Sequence, residues 1–174
     1  VMRAAVAAGA SMINDISAFA AHGALEAVGG GEVALCVMHM QGAPRSMQQN
    51  PVYQDVLAEV GEFLGQRKTQ CIQAGIAADR LILDPGFGFG KSLDHNLALM
   101  RGLPELGRLG PLLVGVSRKT MIGAITGRPV EQRQAGSVAA ALIAVDRGAR
   151  IVRVHDVRET VDALKVRAAV LDDA

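Results

Sequence analysis

The chain has 174 residues, half of them apolar, and a formal net charge of +1. That is material for one substantial core and too little for two ordinary domains. Near-neutral charge with both signs interspersed argues against a nucleic-acid coat or a membrane-surface peptide, and the absence of Trp removes the usual stacking platform for single strands. No run reaches the roughly 18 apolar residues of a membrane span, and no signal-peptide pattern is present. Cys36 and Cys71 lie in apolar runs without CxxC or Cys/His spacing, as expected of two buried, reduced thiols in a cytoplasmic protein. His22, His39, His95 and His155 show no metal-ligand spacing.

The chain opens Val1-Met2-Arg3-Ala4, inside an Ala-rich helical pattern, so an upstream segment is expected. One unit then recurs: a short apolar run, a Gly-rich or polar turn, an amphipathic helix. Strands are predicted at 11–14, 33–39, 80–84, 111–116 and 150–155. Leu81-Ile82-Leu83 and Leu112-Leu113-Val114 are continuous apolar runs, which suits strands buried on both faces of a parallel sheet. Asn50 is the expected cap of a helix opened by Pro51 and stopped by Gly75, with Val56, Val60, Phe63, Leu64, Cys71 and Ile72 on its apolar face. Residues 134–148 form a helix of small side chains. In the last helix Asp156 and Glu159 read as a capping box, and Val157, Val161, Leu164, Ala168 and Leu171 as the buried stripe. Strands alternating with helices mean α/β crossovers, in either an open doubly wound sheet or a closed barrel. A full (β/α)8 barrel takes about 250 residues, and this chain supplies about five units.

Polar groups stand wherever an apolar run ends: Asn14-Asp15, Met38-His39, Asp84, Ser117-Arg118-Lys119, and Arg153 with His155. Ionisable groups at the carboxyl ends of several parallel strands are how such sheets build sites. Asp84 closes Leu81-Ile82-Leu83 at the rim of the core, partly desolvated. A carboxylate there either caps the Pro85-Gly86 turn or accepts from a donor-rich heterocycle edge. Glycines 86, 88 and 90 allow close backbone approach, with Phe87 and Phe89 as apolar walls, while Lys91 closes the run. The spacing fits neither a Walker A loop nor a dinucleotide fingerprint. Ser117-Arg118-Lys119 offers a hydroxyl and two cations to an anion or heterocycle, the alternative being two solvated side chains. Arg153 and His155, two residues apart, face the same way and suit a phosphate ester or pyrophosphate. Asn14 presents a donor and an acceptor suited to a lactam or pyrimidine edge, or else caps the next helix.

Taken together, Gly9-Ala10-Ser11-Met12-Ile13-Asn14-Asp15-Ile16, Val37-Met38-His39-Met40-Gln41-Gly42, the 83–91 run, Gly115-Val116-Ser117-Arg118-Lys119 and Val152-Arg153-Val154-His155-Asp156 closely resemble the dihydropteroate synthase family of folate synthesis, in the family's order and spacing. The resemblance implies a (β/α)8 TIM barrel, of which this chain corresponds to the last five βα units. It implies condensation of p-aminobenzoate with a dihydropterin methyl pyrophosphate. By the same resemblance, Asn14, Asp84 and Lys119 bind the pterin, Met38 and Phe89 line its slot, and Gly115 is among the substrate-binding residues. Arg153 and His155, with Asn14 assisting, hold the pyrophosphate, while Ser117 and the Lys119 stem face the aminobenzoate. Lys119, Arg153 and His155 are thereby the expected catalytic residues. Magnesium is the implied cofactor, its ligand lying in upstream strands that this chain lacks, and a homodimer is the implied assembly. The 174 residues alone are expected to be inactive and prone to aggregate. Two rivals stand beside this reading: a pterin-dependent methyltransferase, disfavoured by Ser117-Arg118-Lys119 and the Arg153/His155 pair, and a non-catalytic pterin-binding paralogue.

Overall fold

The computed structural model describes residues 1–42, 47 and 49–171. Helix α1 (Met2–Ala7) leads into β1 (Met12–Asp15), and α2 (Ala24–Val28) into β2 (Ala34–Met38). The long helix α3 (Val56–Gln73) precedes β3 (Leu81–Asp84). Helices α4 (Leu93–Arg101) and α5 (Leu103–Leu106) lead to β4 (Leu112–Val114), and α6 (Thr120–Thr126) and α7 (Gln134–Asp146) lead to β5 (Ala149–Val152). Helix α8 (Val157–Leu171) is the last described element. All five expected strands form, though β5 ends at Val152, so Arg153 and His155 lie just beyond it rather than inside it.

The strands pair in parallel, in the order β1-β2-β3-β4-β5. A doubly wound sheet reverses its order at a switch point, whereas a barrel proceeds one neighbour at a time. The two faces agree with the barrel. One face (Ile13, Leu35, Val37, Leu81, Leu83, Leu112, Val114) joins a core with Val60 and Leu64 of α3, Leu99 of α4 and Ala144 of α7. The opposite face is a separate cluster of strand residues, Cys36, Ile82 and Leu113 with Met12, Ala34 and Ile151. Helices outside and strand side chains inside make this a five-stranded arc of a barrel wall.

The start of α3 corrects the sequence reading. Its cap is Asp55, whose carboxylate accepts from the N–H groups of Leu57 and Ala58, while Glu59 reaches back to the N–H groups of Gln54 and Asp55. Asn50 instead takes a left-handed conformation and Pro51 lies in the approach to the helix. The expected stop is in place. Gly75 (φ +89°) follows the C-cap Ala74, and its N–H and that of Ile76 bond back to the carbonyls of Ile72 and Cys71, with Ile76 and Cys71 both in the core. Ile72 is exposed, against expectation, because the buried line runs through Val60, Leu64 and Cys71.

Helix α8 also departs from its reading. Val157, Val161 and Leu171 are exposed, and the helix turns Thr160 inward, with Leu164 and Ala168 partly covered. Packing against α7 selects that face, which the four-and-three spacing alone did not fix. The Asp156 carboxylate is taken by Arg118, as described below. No helix of the described residues is long and apolar enough to cross a membrane.

Candidate active site at the carboxyl ends of the strands

Side chains alternate across each strand, and pairing carries the alternation sideways: Asn14 is level with Cys36, and Met38 with Asp84. Asn14, Met38 and Asp84 therefore share the inner face with Cys36, towards the strand ends. Asn14 is solvent-exposed and does not cap the next helix, whose N-cap is Gly23; its neighbour Asp15 instead closes the turn after β1, its carboxylate accepting from Phe19 N–H at 2.7 Å. Met38 is fully buried beside Asp84.

Asp84 is 2% exposed, deeper than its rim position in the sequence suggested. Its Oδ1 accepts from the Gly86 N–H at 2.8 Å, so the turn-capping reading holds for one oxygen. The other oxygen takes no hydrogen bond among the described residues. Burial pushes the carboxyl above its ordinary range, against the Gly86 hydrogen bond and the charges of Lys119, Arg153 and Lys91. A carboxylate that faces cations, with only one oxygen taken by the Gly86 N–H, is equipped for a ligand that brings N–H groups.

The glycines are needed where they stand. At Gly86 (φ +68°) an added Cβ would lie 1.8 Å from the His39 carbonyl oxygen, and at Gly90 (φ +64°) 2.3 Å from that of Gln41. The loop is thus pressed onto the segment after β2. Gly88 donates to Asn96 Oδ1 at 2.7 Å, and Gly90 O accepts from the Tyr53 hydroxyl at 3.0 Å. Phe87 is not a wall of the site: its ring is wholly buried in the helix-side core. Phe89 is partly exposed, with Lys119 Nζ 4.7 Å from its ring centroid.

Lys119 follows β4 and turns its Nζ to the Phe87 carbonyl at 2.5 Å. Burial pushes its amine down to about 8, with Asp84 raising it and Arg153 lowering it further. Arg118 does not join it in the site. Its guanidinium forks onto Asp156 at 3.1 and 2.5 Å, and that pair straps the β4 loop to the β5 loop. Ser117, 4% exposed, makes a second strap, its Oγ accepting from the His155 N–H at 3.2 Å and lying 3.0 Å from His155 Nδ1. Beyond these straps, Gly115, Ser117, Lys119, Arg153 and His155 line a cleft of about 200 Å³. A Cβ at Gly115 would stand 3.4 Å from Arg153 Nε, so the missing side chain makes room for the guanidinium. A small concavity edged by Arg, Lys and His is an anion site. Cys36 faces the same interior, and its thiol is pushed up to about 12 by burial and then by Asp84. Cys36 and Cys71 are both free and buried.

Among the described residues no three of His, Cys, Asp and Glu come together to hold a metal ion. Residues 43–46 and 48, within the long connection after β2, lie outside the described residues. Sequence reasoning missed three supports of the glycine loop: Tyr53, Asn96 and the side-chain role of Lys91. Tyr53 reaches the loop only through the fold, and Lys91 meets His39 the same way; Ser92 and His95 form a capping box for α4, with His in place of the usual Glu or Gln.

Compared with known proteins, residues 1–155 match the family described as pterin binding enzyme. The chain belongs to the pterin-binding enzyme family. A dihydropteroate synthase from Neisseria meningitidis serogroup B is 57% identical over 164 residues, covering 91% of this chain and 58% of that protein. The dihydropteroate synthase of Xanthomonas albilineans in complex with 7,8-dihydropteroate superposes with a TM-score of 0.92 at 52% identity, over 99% of this chain and 64% of that one. The same organism's enzyme with 4-aminobenzoic acid gives 0.93 at 53% identity, over 100% and 62%. The chain therefore spans about three-fifths of the length of these relatives, and its inner-face carboxylate and cationic cleft lie within the matched part.

Proposed function

We propose that the protein containing this chain is a dihydropteroate synthase, joining p-aminobenzoate to a dihydropterin methyl pyrophosphate with release of pyrophosphate. The carrying observation is a juxtaposition: a buried carboxylate with an unoccupied acceptor oxygen at the end of β3, and a cationic cleft at the neighbouring ends of β4 and β5. Asp84 accepts from the amino-pyrimidine edge of the pterin, with Asn14 contributing from β1 and Met38 and Phe89 bounding the ring. Lys119, above the Phe89 ring, meets the pterin as well, while Arg153 and His155 receive the pyrophosphate. In the reaction the methylene carbon–oxygen bond breaks with its electrons going to pyrophosphate, the aniline nitrogen supplies the pair for the new carbon–nitrogen bond, and that nitrogen then loses a proton. The cations stabilise the leaving anion and the cleft positions the amine; the chemistry requires no covalent enzyme nucleophile. Ser117, occupied with His155, contributes to this reading by shaping the cleft on the aminobenzoate side.

A magnesium ion is part of the same proposal, although among the described residues no three of His, Cys, Asp and Glu come together to hold it. A cytoplasmic homodimer belongs to the same proposal, with Val161, Val166 and Val170 of α8 exposed to a partner. The test uses the intact protein and measures pyrophosphate release from the dihydropterin pyrophosphate with and without p-aminobenzoate. Release that depends on p-aminobenzoate and yields dihydropteroate is expected, with Arg153→Ala lowering kcat/KM on the order of 100-fold. Release indifferent to p-aminobenzoate, or methyl transfer to a corrinoid protein in its place, would overturn the assignment.

A further inference from the structure

Lys91 is a buried lysine that the chemistry above leaves without a task. It is 4% exposed, and its Nζ lies 2.9 Å from His39 Nδ1, 3.0 Å from the Gly86 carbonyl and 3.1 Å from the Phe89 carbonyl. An ammonium has three N–H donors, so three acceptors occupy it fully and none remains for a substrate. Lys119, which does reach the cleft, is its neighbour in charge but not in role.

The three partners are spread across what needs to be held. His39 sits one residue past β2, while Gly86 and Phe89 bracket the turn after β3. The Gly86 N–H in turn holds Asp84 Oδ1 at 2.8 Å, so a continuous line of contacts runs from Lys91 through Gly86 to the carboxylate. The Phe89 contact fixes the residue whose ring lies against Lys119. His39 is itself locked in place: its N–H donates to the Asp84 carbonyl at 3.0 Å, and its ring packs edge-on against Phe63 at 5.0 Å and tilted against Tyr53 at 6.2 Å.

The electrostatics suit a clamp. Burial, and then Lys91, pushes His39 down to about 3, which leaves the imidazole neutral and able to offer Nδ1 as an acceptor. Burial pushes Lys91 down to about 7, with Asp84 opposing. The contact survives loss of that proton, because a neutral amine still donates to the two carbonyls and its lone pair accepts from the other imidazole tautomer.

We propose that Lys91, oriented by His39, is a positioning residue: it holds the 84–91 loop so that Asp84 and Phe89 meet the pterin, without touching the pterin itself. The proposal rests on the synthase reading above and is tested separately from it. In the intact protein, Lys91→Met and His39→Leu remove the contact, while His39→Asn places an amide oxygen where Nδ1 stood. Hydrogen exchange of the peptide covering residues 84–92 reads the loop directly, and steady-state kinetics read its effect.

Lys91→Met and His39→Leu are expected to speed exchange about tenfold and raise KM for the dihydropterin pyrophosphate about tenfold. KM for p-aminobenzoate should stay within about twofold, and His39→Asn should recover most of both losses. Unchanged loop exchange in Lys91→Met, an equal rise in both KM values, or an Asn variant as impaired as the Leu variant would overturn the proposal. If Lys91→Met fails to fold, the two His39 variants decide. If the unmodified protein makes no dihydropteroate, the synthase reading falls, and loop exchange still decides whether the clamp exists.

Discussion

Asp84 carries a conflict between stability and function that can be measured. Its carboxyl is held above the ordinary range by burial, so the folded state binds a proton more readily than the unfolded chain between the usual value near 3.8 and the raised one. Its contribution to stability is therefore greatest at acid pH and is lost as pH rises through the folded value. At neutral pH burying this carboxyl costs stability, and it is kept for the ligand it accepts from. Asp84→Asn removes that cost while its amide oxygen can still take the Gly86 N–H. We expect kcat/KM to fall on the order of 100-fold or more, with Tm at pH 7 unchanged or a few degrees higher. A variant that loses activity together with several degrees of Tm would mark Asp84 as a structural residue instead.

At the scale of single elements, α3 shows how a local cue can be misplaced. Asn50-Pro51 is a sound pair of helix-start residues, yet the chain runs on without helix to Asp55, whose carboxylate takes the first-turn donors while Glu59 takes the N–H groups just before them. Asp55→Ala should destabilise the intact protein by about 1 kcal/mol, read as a lower urea midpoint with an unchanged slope. Asn50→Gly, which keeps the left-handed backbone and removes the side chain, should leave the midpoint where it is, and the reverse ranking would return the cap to Asn50. The glycine loop is an element of a different kind. Its shape is imposed by close approach to the carbonyls of His39 and Gln41, which any side chain at Gly86 or Gly90 would strike.

For the whole molecule, sequential strand order and helices on one face make an arc whose inner surface is a site wall. Strands β1 and β5 are its edges, each paired on one side, and unpaired edges of buried-type strands invite association with other chains. The 174 residues prepared alone are expected to form no dihydropteroate and to elute as self-associated material in size exclusion. A monodisperse monomer with turnover like that of the intact protein would refute this.

The sequence by itself determined that strands alternate with helices, that Gly75 stops α3, and which residues stand at strand ends. These are local properties: apolar runs, backbone freedom, and the point where a run gives way to polar groups. It also placed Asn14, Met38 and Asp84 correctly within their strands, because an apolar run that gives way to polar groups marks a strand end locally. Only the tertiary structure decided which neighbours those residues answer to. Arg118 turned to Asp156, Phe87 went to the core, Ser117 bonded His155, and Lys91 closed on His39 from 52 residues away. Such contacts depend on burial and on which acceptors remain after the backbone is satisfied, and neither quantity is written in the spacing of a motif.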